Sequence, residues 1–103
     1  MYQVLHIFLR PDLVDDLLSF VEEQGSLGAT ILRGRGTSHH QEQRFLNVCI
    51  EHQIAMVVLV VEQVKVKALI QALEDHFQFT EQGVGLLCTL PATGVRGLSS
   101  RRN

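Results

Sequence analysis

The chain has 103 residues, of which 46% are hydrophobic and 19% are charged, and its formal net charge is −2. These values predict a single globular domain with a modest core and exclude an intrinsically disordered chain. Because the net charge is slightly negative, we expect no binding to nucleic acid. Two cysteines and an N-terminus without the pattern of a signal peptide predict a cytoplasmic protein.

The first half of the chain predicts a strand, a helix and a second strand. Residues 2–9 are apolar enough for a buried strand, and Pro11 suits the first turn of a helix. Apolar residues then follow at helical spacing until Gly25 ends the helix. Residues 29–33 predict a short second strand, and residues 34–53 predict a long flexible loop.

The second half predicts a strand, a helix and a last strand. Residues 54–61 are apolar at every position, which is typical of a strand buried on both faces. Helical spacing of apolar residues predicts a second helix over residues 63–76. A last strand is expected over residues 86–90, with Pro91 ending its pairing. Residues 99–103 are expected to form a disordered tail after a domain that spans residues 1–98.

This order of elements predicts an α+β protein with the ferredoxin-like βαββαβ fold, in which two helices lie on one face of a four-stranded antiparallel sheet. The other face is left bare, although the central strands are apolar on both sides. For residues 54–61, the two faces carry Ile54, Met56, Val58 and Val60 on one side and Ala55, Val57, Leu59 and Val61 on the other. Soluble monomers rarely expose an apolar surface of this size, so we expect further copies of the chain to cover it. Sheet geometry alone does not set the number of copies.

Two glycine-containing segments are candidate anion-binding sites. Gly34-Arg35-Gly36-Thr37-Ser38 follows the second strand, and Gly83-Val84-Gly85 precedes the last one. Consecutive backbone N–H groups in such turns bind phosphate, and Arg35 adds positive charge. The alternative is that both segments are simply turns that need positive φ angles. Neither segment matches a Walker A loop or a Rossmann fingerprint.

The chain resembles the PII family of signalling proteins over residues 2–98. The matching segments are Leu9-Arg10-Pro11, Gly28-Ala29-Thr30 ahead of Gly34-Arg35-Gly36, and Gly83-Val84-Gly85 before a strand that ends Leu90-Pro91. The resemblance implies a homotrimer that needs no cofactor, binds ATP, ADP, AMP or another small anion between subunits, and regulates a transporter or enzyme of nitrogen or carbon metabolism. The nucleotide site that it implies consists of Thr30, Gly34, Arg35, Gly36, Thr37, Gly83, Gly85 and Arg96.

Two departures from the PII pattern modify this expectation. The family has a phosphate-binding lysine directly after the second glycine of Gly83-Val84-Gly85, where this chain has Leu86. A hydrogen bond to a charged group contributes about 1.5–3 kcal/mol, so we expect weak ATP binding or a preference for ADP, AMP or another anion. The loop is also shorter than the family's and contains no tyrosine, so regulation by tyrosine modification is not expected. PII relatives with a short loop and a turn like Gly34-Arg35-Gly36-Thr37-Ser38 look like partners of membrane transport proteins, so the resemblance implies such a partner here.

Metal binding is the alternative function. His39, His40, His52 and Cys49 lie in or beside the loop, and imidazole and thiolate groups ligate zinc or copper. Their spacing matches no defined metal motif, so exposed loop histidines are the competing interpretation and no metal ligand is assigned. His6 and Cys88, which lie in apolar strands, are expected to be core residues. No nucleophile with an adjacent base is present, so we expect no enzymatic activity.

Overall fold

A computed structural model describes residues 1–25, 28–36, 44–45, 48–49, 52–82 and 85–98. In chain order, the elements are strand β1 (Tyr2–Leu9), a 3-10 turn (Pro11–Leu13), helix α1 (Val14–Glu23), strand β2 (Thr30–Gly36), the two-residue strands β3 (Arg44–Phe45) and β4 (Val48–Cys49), strand β5 (His52–Glu62), helix α2 (Gln63–Phe77), the short helix α3 (Phe79–Gln82) and strand β6 (Gly85–Ala92). Among the described residues, no helix has the length and apolar composition needed to cross a bilayer.

The four long strands form one antiparallel sheet in the order β2-β5-β1-β6, and β3 pairs with β4 in a separate hairpin. Helix α1 connects β1 to β2 past the intervening β5, and α2 connects β5 to β6 past β1. This arrangement confirms the predicted α+β class and is compatible with a ferredoxin-like fold.

One face of the sheet packs against both helices. Every second residue of the central strands is buried there, namely Leu5, Ile7, Leu9, Ala55, Val57, Leu59 and Val61. The helices contribute the apolar stripes that their spacing predicts, with Val14, Leu17 and Val21 from α1 and Val66, Leu69, Leu73 and Phe77 from α2. Each large side chain buried in this way contributes about 1.5–3 kcal/mol.

The opposite face of the sheet carries three central rows of side chains that run across the strands, with Gly34 and Ile54 beyond them at one end and Tyr2, Glu62 and Ala92 at the other. The first row is Leu32, Met56, Phe8 and Leu86, the second is Thr30, Val58, His6 and Cys88, and the third is Val60, Val4 and Leu90. We call these eleven residues the open face. None of them is buried, and Leu86 keeps 60% of its surface exposed.

The prediction of a loop over residues 34–53 is wrong at both ends. Gly34, Arg35 and Gly36 continue strand β2 and pair with residues 52–54 of β5. Backbone hydrogen bonds make this pairing, so it extends beyond the apolar side chains from which the strand was predicted. Residues 44–45 and 48–49 are also paired, whereas the remainder of the predicted loop and the tail at 99–103 lie outside the described residues.

Pro91 does not end the last strand. Strand β6 runs to Ala92, and Pro91 lies opposite Gln3 of β1. Because β6 is an edge strand, a residue without an N–H group is tolerated where its nitrogen faces away from the ladder. Gly85 is correspondingly the first residue of this strand and not part of the preceding turn.

Candidate binding site

The predicted nucleotide-binding residues lie at opposite edges of the sheet. Strand β2, which carries Thr30, Gly34, Arg35 and Gly36, is one edge, and β6, which begins at Gly85, is the other. Strands β5 and β1 lie between them, so a spacing of about 4.8 Å per strand separates the edges by roughly 14 Å. A single chain therefore does not bring the two halves of the site together.

Arg96 is separated from the glycines along the strand direction. Gly36 pairs with the first residue of β5 and Gly85 pairs with the last residue of β1, which places both glycines at the same end of the sheet. Strand β6 then runs about 25 Å to the other end before Arg96 follows it. There the Arg96 guanidinium donates a hydrogen bond to the carbonyl oxygen of its neighbour Val95, with a distance of 3.0 Å. Thr37 and Gly83 lie outside the described residues.

The residues of β2 also divide between the two faces of the sheet. Thr30 pairs with Val58 and lies on the open face, whereas Arg35 pairs with Gln53 and lies on the side that bears the helices. Both residues are exposed. Thr30 and Arg35 therefore belong to the same edge strand, but their side chains lie on opposite faces of the sheet.

Gly85 has a structural reason to be glycine. A Cβ atom at this position would lie 2.0 Å from the backbone carbonyl oxygen of Phe8, a distance that no side chain tolerates. At Gly36, an added Cβ would meet only the flexible end of Ile54, at 2.5 Å, and at Gly34 it would meet nothing within 4 Å. None of the three glycines has a positive φ angle, so the interpretation of these residues as positive-φ turns is wrong.

Sequence reasoning missed a pair of residues in the middle row of the open face. His6 and Cys88 lie directly opposite each other on β1 and β6. The Nδ1 atom of His6 is buried and has no hydrogen-bond partner, and Cys88 is a free, exposed cysteine. The expectation that both are core residues is wrong, because even-numbered positions of these strands face away from the helices. Matching the two strands in antiparallel register would have revealed the pair.

The predicted metal-binding loop is largely outside the part of the chain that the structure describes. His39 and His40 belong to the undescribed residues, whereas Cys49 and His52 are paired in strands β4 and β5. Within the described residues, no group of three or more His, Cys, Asp or Glu side chains is placed to hold a metal ion.

The comparisons with known proteins support the fold and not the predicted family. No family model and no curated protein matches the chain. Among solved structures, the chain is similar to a DUF3240 family protein from Shewanella baltica OS155, with a TM-score of 0.72 and 16% sequence identity. The match covers 95% of this chain and 97% of that one. At this identity the likeness establishes the fold alone.

The assignment to the PII family is wrong. It has no support from a family model or from sequence similarity, and the structural match is to a DUF3240 family protein. One glycine that contributed to the resemblance also has a local explanation. Gly85, for example, is required by the close approach of Phe8, whatever ligand the protein binds.

We predict that Gly85→Ala lowers the free energy of unfolding by about 1–3 kcal/mol, because the new methyl group overlaps the Phe8 carbonyl and forces the backbone to shift. Gly34→Ala is the matched control, since its methyl group meets no atom within 4 Å and reduces the entropy of the unfolded chain. Urea denaturation at one protein concentration measures both changes. Equal stability of the two variants would contradict the structural role of Gly85.

Proposed function

We propose that the chain is the subunit of a homo-oligomeric, non-catalytic binding protein that holds a small effector between subunits. The observation that carries this proposal is the open face. Nine of its eleven residues are aliphatic, aromatic or sulfur-containing, and none is a lysine, arginine, aspartate or glutamate, although Glu62 borders the face at one end. Water is a poor solvent for such a surface, so its burial stabilises an assembly.

The open face is large enough to form the centre of a subunit interface. Its eleven residues each occupy about 4.8 Å across the sheet and about 6.6 Å along a strand, which gives roughly 350 Å². Apolar patches of this size mark interaction sites on protein surfaces, and an interface of roughly 800 Å² per partner would include further residues around this patch. A second copy of the chain offers the same apolar surface, whereas a charged partner would have to bury charges.

The proposed effector site uses residues from both edge strands, which requires a ring of subunits. Thr30 and Arg35 on one edge strand meet Gly85 on the other only if the β2 edge of one subunit adjoins the β6 edge of the next. Such a contact between unlike edges is heterologous, whereas a twofold dimer brings like edges together. The smallest closed ring built from heterologous contacts is a trimer.

We predict a single species of about three times the 11.6 kDa chain mass in multi-angle light scattering at micromolar concentration. Val58→Glu places a charge at the centre of the open face and should yield a folded monomer, because an unpaired buried charge costs several kcal/mol. Val64→Glu is the control, since Val64 is 86% exposed on α2 and the same substitution there should leave the mass unchanged. A monodisperse wild-type monomer would refute the proposal.

The effector in this proposal is a small anion, with adenine nucleotides as the first candidates. Arg35 supplies positive charge at one side of each cleft, and the β6 edge of the neighbouring subunit supplies the other side. Effector binding would shift the affinity of the assembly for a regulated cytoplasmic enzyme or a membrane transporter. Such coupling requires only that the effector bind two arrangements of the assembly with different affinity.

We predict that calorimetric titration shows only weak binding of ATP, ADP and AMP, because Arg35 contributes a single charged hydrogen bond to the proposed cleft. Arg35→Gln should weaken nucleotide binding by about tenfold or more through the loss of a charged hydrogen bond. Lys65→Gln serves as the control, since Lys65 lies beside Glu62 at the opposite end of the sheet from Gly36 and Gly85. Tight binding of magnesium-ATP, or equal affinity of the two variants, would exclude the proposed site.

The second candidate function is metal binding on the open face. His6 and Cys88 provide an imidazole and a thiol on neighbouring strands, which is a ligand combination suited to zinc or copper. Buried polar atoms normally have a bonding partner, and a metal ion is one group that could bind the unpartnered Nδ1 atom of His6. One chain offers two ligands, so a second copy facing this row would complete the coordination.

We predict that His6→Gln/Cys88→Ser lowers zinc affinity by more than about tenfold in equilibrium dialysis if the open face holds the metal. His39→Ala/His40→Ala is the comparison that tests the loop histidines, and this variant should retain zinc binding. The opposite pattern, with zinc lost only in the loop variant, would assign metal binding to the loop and remove His6 and Cys88 from consideration.

A further inference from the structure

A groove of about 420 Å³ lies between helix α2 and the sheet, on the side that bears the helices. Its location is distinct from the open face and from the predicted nucleotide cleft. Gln3 of β1 and Thr89 of β6 form one wall, near the end of the sheet where β1 begins and β6 finishes. Its volume is within the range of small-molecule sites in proteins, but the groove is open to solvent and would bury only part of a ligand.

The opposite wall of the groove is one stripe of α2. Gln63, Lys67 and Gln71 line it, and their spacing of four residues places them on the same side of the helix. The stripe lies beside the buried stripe of α2, so the apolar side chains of Val66 and Ile70 form the floor. The groove thus combines an apolar base with amide, hydroxyl and ammonium groups around it.

The charge in the groove is positive and uncompensated. Lys67 makes no ion pair with any described residue, and no carboxylate lines the groove. The nearby Lys65 differs, because its ammonium lies 3.9 Å from the carboxylate of Glu62. Gln71 is held in place by a hydrogen bond of 2.9 Å from its amide nitrogen to Asp75, which leaves its carbonyl oxygen available as an acceptor.

We propose that this groove binds a small organic anion whose charged end contacts Lys67 and whose uncharged body lies on Val66 and Ile70. The carboxamides and the Thr89 hydroxyl would hydrogen-bond to polar substituents on that body. A carboxylate and a phosphate ester share this chemistry. All of the lining residues come from one chain, so the site does not depend on self-association or on the proposed inter-subunit cleft.

The test is an NMR titration of the full chain, in whichever oligomeric state it adopts, with three probes. 4-Hydroxybenzoate and phenyl phosphate present the same ring with a carboxylate or a phosphate, and inorganic phosphate presents the charge without the ring. We expect at least one of the two organic probes to shift amide resonances of α2 and of Thr89, with a dissociation constant on the order of 1 mM. Inorganic phosphate should bind at least about tenfold more weakly.

Lys67→Met and Lys65→Met form a matched pair, because each removes one ammonium group from an exposed position of helix α2. Lys67→Met should weaken binding of the organic probe by about tenfold or more, while Lys65→Met should leave it within about twofold. Thr89→Val should weaken binding several-fold without changing the fold. The proposal is overturned if no groove resonance shifts at about 20 mM probe, if inorganic phosphate binds equally well, or if the two lysine variants behave alike.

Discussion

The two helices of this chain cover only one face of a four-stranded sheet whose central strands are apolar on both faces. On the covered face, Leu5, Val57 and Leu59 are fully buried beneath the helices. On the other face, Phe8, Met56 and Val58 occupy the same strands but remain only partly covered by their neighbours. Burying these side chains is favourable by the same hydrophobic term that builds the core. In the proposed assembly, the strands themselves therefore supply the driving force for association.

The strand order links the proposed assembly to the proposed ligand site. With β2 and β6 as the two edges, residues that were predicted to act together are placed far apart in one chain. In the proposed ring, contacts between unlike edges of different copies would bring Arg35 close to Gly85. The same ring would also cover the open face, so one proposed assembly accounts for both features.

The groove beside α2 does not require a second copy of the chain. Its walls belong to β1, β6 and α2 of the same chain, and it lies on the side of the sheet that bears the helices. The open face carries no lysine, arginine, aspartate or glutamate, whereas the groove contains an unpaired lysine and three carboxamides. The two sides of the sheet thus differ in chemistry as well as in cover. The likeness to a DUF3240 family protein fits this architecture and carries no information on ligands at 16% identity.

Periodicity in the sequence determined both helices, the central strands and the residues of the core, because apolar side chains repeat at the spacing that burial requires. It also revealed that one sheet face lacks cover. It did not reveal that Gly34–Gly36 extend β2 or that Pro91 lies within β6, because backbone pairing at an edge depends on the neighbouring strand and not on side-chain pattern. Only the tertiary structure decided that Gly85 faces the Phe8 carbonyl, that His6 lies opposite Cys88, and that Gln3 and Thr89 meet Lys67 across a groove. These contacts join residues distant in sequence, so strand register and packing determine them.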